Sequence, residues 1–211
     1  MPLEAVLLKG RDMRITGLGI KSVKFPVLPI FCIGVAVGFF VMNAGKNVLL
    51  ENTGLFDEYT LYNMKYMSVD NNALFSYIFR ERILAFLALA VLSTTYLGLV
   101  VCIGAVAWYG MSVGAFLSAL VIRYGIKGIF LAIAAVFPHY LIYIPAFFAL
   151  LGWCESLYRG IYHRTINPDE SKTYFLKKLG VLTVILLSVA VGCLLEAYVN
   201  PYVLLGYLRV F

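Results

Sequence analysis

The chain has 211 residues, of which 62% are hydrophobic and 13% charged, with a formal net charge of +6. An ordinary soluble domain carries about 25% charged residues, so this composition excludes a typical soluble enzyme and points to a membrane protein. No stretch outside the apolar runs exceeds about 40 residues, too little to build a sizeable independent core.

Charge placement argues against nucleic acid as the partner. Lys9, Arg11, Arg14, Lys21 and Lys24 outnumber Glu4 and Asp12 in residues 1–24. Arg159, Arg164, Lys172, Lys177 and Lys178 outnumber Asp169 and Glu170 in residues 159–178. Residues 43–82 are nearly balanced. Basic segments beside spans are what the positive-inside bias produces, and anionic lipid head groups suit them as neighbours. Membrane lipid is the partner that the charge pattern implies.

In chain order, residues 1–24 read as a basic cytoplasmic segment and residues 25–42 as a first transmembrane anchor. Pro26 and Pro29 fall in its first turns, where a missing N–H costs little. Met42-Asn43-Ala44 is a poor cleavage site, so the anchor reads as retained. Gly34-x-x-x-Gly38 would let another helix approach closely.

Residues 43–82 read as an extracytoplasmic loop in which Tyr59, Tyr62 and Tyr66 are candidate partner-docking residues. Asp70, Asn71 and Asn72 offer helix N-caps, and Leu74, Phe75, Ile78 and Phe79 then share a helical face. A second span is expected at Ile83–Ala107, with Trp108 and Tyr109 as interfacial aromatics.

The 72 residues from Ile83 to Cys154 contain only two charges, Arg123 and Lys127. Met111–Ile122 and Ile129–Phe137 are each about half a crossing long. Pro138-His139 marks a break, and Tyr140–Tyr158 is long enough to span. Asn167-Pro168-Asp169 makes the turn of the basic loop. A last span from Leu179 to Val199 is expected to stop at Asn200-Pro201, before an aromatic tail.

If both basic segments are cytoplasmic, the chain crosses an even number of times between Lys24 and Arg159. The two half-pieces must then supply one crossing. The expected architecture is an all-α polytopic bundle of about five spans, with the third broken into two half-helices joined at Arg123–Gly128. Residues 83–211 form its membrane domain, with the N-terminus cytoplasmic and the C-terminus extracytoplasmic.

Ionisable groups inside a membrane are expensive and usually pair or face a cavity. The candidates are Arg123, Lys127, His139, Glu155 and Glu196. Glu155 and Arg159 are spaced for a local pair. His139 is placed to bond a carbonyl freed by Pro138. Glu196 needs a donor, for which Arg123, Lys127 and an arginine on the far side are open.

Gly110-Met111-Ser112-Val113-Gly114 matches the G-x-S-x-G pattern, with His139 as a conceivable base. The hydrolase elbow requires a strand-turn-helix context, whereas small residues here serve helix packing. Cys32, Cys102, Cys154 and Cys193 lack metal or redox spacing and read as small hydrophobes. No enzyme activity, cofactor or metal is expected.

The chain resembles the stage II sporulation protein M family of integral membrane proteins. The resemblance rests on Gly110–Gly114, Tyr124-Gly125-Ile126-Lys127-Gly128, Pro138-His139 followed by Ile144-Pro145-Ala146-Phe147, and Leu195-Glu196-Ala197-Tyr198-Val199-Asn200-Pro201. These motifs cover roughly residues 75–205 in order. The resemblance implies a non-enzymatic role, holding a peptidoglycan-degrading complex that includes stage II sporulation proteins D and P during engulfment. A homo-oligomer is a further partner expectation. The competing reading is a permease or transporter subunit, in which Arg123 and Lys127 would meet an anionic solute beside broken half-helices.

Overall fold

The computed structural model describes residues 26–48, 59, 62–63, 70–162 and 171–210. All elements are helical: α1 Val27–Ala44, α2 Asn71–Leu92, α3 Gly98–Tyr124, α4 Ile126–Val136, α5 Tyr140–Tyr162 and α6 Ser171–Leu194. A π-helical turn, Leu195–Val199, joins α6 to α7, Asn200–Val210. The expected all-α polytopic class is the one adopted.

Four helical stretches are long and apolar enough to cross a membrane: α1, α3, α5 and Lys172–Leu208. α2 is also long enough, at 22 residues, but carries Arg80, Glu81 and Arg82. With α2 as a fifth crossing, the expected number of spans is kept. Their boundaries differ.

The continuous span expected at Ile83–Ala107 is cut at Ser93–Leu97. Ser93, Thr94 and Thr95 each turn a hydroxyl back onto the carbonyl three residues earlier, all at 2.7 Å. The backbone closes the same turn, the Thr94 N–H reaching the Val91 carbonyl and the Thr95 N–H the Leu92 carbonyl, both at 3.1 Å, so the hydroxyls add further bonds to carbonyls at the helix end. A turn closed in this way needs no charge, so hydropathy alone passes over it. Met111–Ile122 is therefore not a half-helix; it lies within α3, whose 27 residues span about 40 Å.

The break at Gly125 is where the sequence placed it. Gly125 has φ +57°, a left-handed conformation that suits glycine. α4 then folds back on α3, and a Cβ at Gly128 would collide with the carbonyl of Leu120. The interrupted crossing is thus α4 with α5, broken at Phe137–His139, and Arg123 to Gly128 form the turn at one end of the bundle. The last helix also does not stop at Asn200-Pro201. It widens to a π-turn in which the Asn200 N–H reaches the Leu195 carbonyl, just before Pro201, whose ring crowds the normal ladder.

Contacts fix the helix directions. Arg82 and Phe86 of α2 meet Tyr143 and Phe147 of α5 in parallel order. Cys102 and Tyr109 of α3 meet Cys154 and Phe147 of α5 in reverse order. Tyr174 and Lys178 of α6 bond near Ser156 and Trp153 of α5, while Gly192 lies against the Tyr143 ring. The α5 and α6 helices are therefore antiparallel. α1 runs parallel to α3, from Phe31 at Gly110 to Asn43 at Ser118. The start of α1, the α2–α3 turn and the facing ends of α5 and α6 thus point to one end. The start of α2, the α3–α4 turn and α7 point to the other.

The α1–α3 contact is a glycine seam. A Cβ on Gly34 would sit 2.5 Å from the Ala107 carbonyl, and one on Gly110 2.5 Å from that of Phe31. Gly38 and Gly114 are equally closed by opposing backbone. Both small-residue motifs therefore serve close helix approach, as the sequence suggested. The main core lies between α2, α3, α5 and α6, around Leu150, Leu151, Val189 and Cys193. A second cluster, Leu120, Leu131, Ala132 and Leu208, packs α7 on the α3–α4 hairpin.

Candidate functional site

The charged centre of the bundle joins α2, α5 and the π-turn. Ile78, Arg82, Phe86 and Leu89 recur on one face of α2, which places a guanidinium on an otherwise apolar, buried stripe. Arg82 Nη2 donates to Glu196 Oε1 at 2.9 Å, and its Nε reaches Oε2 at 3.4 Å. The Tyr143 hydroxyl donates to Glu196 Oε2 at 2.7 Å. The guanidinium also lies 5.2 Å from the centroid of the Tyr143 ring, within cation–π range.

Two features of the sequence position Glu196 and Tyr143. The π-turn alters the helical phase at Glu196, and such turns recur at functional sites. Gly192, one turn earlier, leaves space for the Tyr143 ring, whose Cζ would be 3.1 Å from a Cβ there. Around this pair, His139 is 3% exposed, with its ring centroid 5.0 Å from that of Tyr140 and 5.6 Å from that of Tyr143. Its Nδ1 makes no hydrogen bond among the described residues, so the expected bond to a freed carbonyl does not form through that atom.

The other candidates lie apart. Glu155 and Arg159 form the expected local pair at 2.8 Å, with Glu155 buried. Arg123 is half-buried and Lys127 exposed at the α3–α4 turn, where the Tyr207 hydroxyl donates to the Lys127 carbonyl at 3.3 Å. Glu196 takes its charge partner from Arg82, the far-side arginine left open by the sequence. Ser112 lies on an exposed face of α3 and donates to the Trp108 carbonyl at 3.0 Å, whereas His139 is buried elsewhere. Tyr59 and Tyr62 are exposed, at 74% and 60%. Tyr66 lies outside the described residues.

Sequence reasoning missed Tyr143 and did not single out Arg82 among the far-side arginines. The signal for Arg82 was present, because it continues the Ile78 face four residues on. Tyr143 carried none, being one aromatic in an aromatic-rich segment.

A family model, SpoIIM, stage II sporulation protein M, matches residues 27–201. The chain belongs to this family. The match takes in α1, which the motif resemblance did not cover, as well as the whole Arg82–Tyr143–Glu196 clamp. No curated protein and no solved structure matches the chain. This SpoIIM protein is a sporulation-related membrane protein with several apolar helices long enough to span.

Proposed function

We propose that this SpoIIM protein is the membrane scaffold of a peptidoglycan-remodelling complex required for engulfment during endospore formation. The observation that carries the reading is the internal pairing of Glu196. Arg82 and Tyr143 occupy both its oxygens, so the charged centre locks three helices together as a platform. Its partners are then stage II sporulation proteins D and P, and it is not itself an enzyme.

In this reading residues 1–24 and the loop between α5 and α6 face the cytoplasm, as the positive-inside bias favours. The segment holding Tyr59 and Tyr62 faces the hydrolases. The test is detergent pull-down of the tagged protein from cells entering sporulation, alongside a version in which residues 50–70 are replaced. The wild type is expected to bring down the two proteins and the replaced form to lose them. Normal assembly and localisation of the wall hydrolases in cells lacking this protein would refute the proposal.

The transporter reading loses its original support, since Arg123 and Lys127 sit at a bundle end rather than between half-helices. Solute-dependent flux in proteoliposomes, abolished by Arg82→Ala, would restore it.

A further inference from the structure

Between α5 and α6 runs an apolar groove of about 280 Å³, lined by Leu141, Pro145 and Ala149 on one side and Val181, Val184 and Ser188 on the other. From Val181 to Ser188 it extends about 10 Å along the helix, a third of the roughly 30 Å hydrocarbon layer. At the Val181 end its composition changes abruptly. Lys177 and Lys178 precede Val181 by four and three residues, so both lie on the groove's helical stripe.

Lys178 is the unusual member. It is half-buried, its ammonium contacts the Ser156 hydroxyl, and it lies 5.6 Å from the Tyr174 ring centroid. Among the described residues no carboxylate pairs with it; Glu155, the nearest acidic residue along α5, is bound to Arg159. The same level is rigid, because the Trp153 indole donates to the Lys178 carbonyl at 2.8 Å and the Tyr174 hydroxyl to the Ser156 carbonyl at 3.0 Å. A cation held by neutral partners among the described residues, heading an apolar groove open at the helix surface, is complementary to one kind of molecule.

We propose that the α5–α6 groove is a binding site for an anionic phospholipid, with its phosphate at Lys178 and Lys177 and an acyl chain along Val181–Ser188. Basic pockets between membrane helices bind anionic head groups in this manner. The site is separate from the Arg82–Glu196 clamp and does not depend on the scaffold reading.

The test is native mass spectrometry of the detergent-purified full chain, incubated with equal amounts of phosphatidylglycerol and phosphatidylcholine. The wild type is expected to retain one phosphatidylglycerol in preference. Lys178→Gln should reduce that preference about five-fold, the equivalent of one basic residue at a membrane surface. Lys178→Arg should keep it. Ala149→Phe, which fills the groove from the side, should lower retention while leaving Lys178 in place. Circular dichroism on each variant identifies any that fail to fold. Equal retention of both lipids by the wild type, or an unchanged preference in folded Lys178→Gln, would overturn the proposal.

Discussion

Arg82 and Glu196 lie 114 residues apart in sequence and 2.9 Å apart in space. Among the described residues, their pair is the one ion pair between α2 and the last long helix. The side chains are 32% and 15% exposed, so much of the pair is withdrawn from solvent. Removing one partner of such a pair costs more than the pair itself contributes, because the other charge stays behind.

Arg82→Ala should therefore destabilise the detergent-solubilised protein by about 2 kcal/mol or more. Tyr143→Phe should cost about 1 kcal/mol, the usual net worth of one hydrogen bond. Thermal unfolding of single and double variants is the measurement. The Arg82→Ala/Glu196→Ala double variant should be less destabilised than the sum of the singles, since their losses overlap.

The glycine seam makes a geometric prediction. Asn43 Nδ2 donates to Ser118 Oγ at 3.0 Å, so cysteines placed at these two positions, in a Cys32→Ser background, should join readily through a short bifunctional thiol reagent. Adding Gly38→Leu should abolish the cross-link, because its side chain would enter the backbone of Met111. Undiminished cross-linking would mean that α1 and α3 do not pack through the seam.

Helix directions predict sidedness. Lys127→Cys should react with an impermeant thiol reagent from the same face as Asn63→Cys. Thr95→Cys should react from the face that labels Asn167→Cys. Had Arg123–Gly128 joined two half-helices within the membrane, Lys127→Cys would resist the reagent from both faces.

Ser112→Ala should leave stability within about 0.5 kcal/mol of wild type, as expected for a surface position outside any special feature. Among the described residues its hydroxyl bonds within its own helix. Spore yield should also be unchanged. A loss of function in the folded variant would reopen the reading of Ser112 as a nucleophile.

Much of this was legible from residue types alone. Asp70 caps α2 as expected, accepting from the Asn72 N–H at 3.0 Å and the Ala73 N–H at 3.3 Å. The Gly34/Gly38 approach and the Glu155–Arg159 pair also followed from spacing. The Ser93–Thr95 turn did not, because a hydroxyl that closes a turn and one that decorates a helix are the same letter. Pro201 misled for the opposite reason: proline usually ends a helix, yet a π-turn absorbed it. Glu196 demanded a donor, but only tertiary contact could choose Arg82.

The hydroxyl-closed turn has a consequence for how the molecule sits in lipid. Arg159 and the lysines of α6 hold their corner of the bundle at the head groups, since each would carry a charge into hydrocarbon. The corner at Ser93–Thr95 bears no such charge, and its three hydroxyls are already matched. In a thicker bilayer the bundle can tilt to set this corner deeper, and the α5 end moves with it through the Tyr162 hydroxyl, which donates to the Thr94 carbonyl at 3.1 Å. Mismatch is then met by a change of tilt, and no ion pair need open.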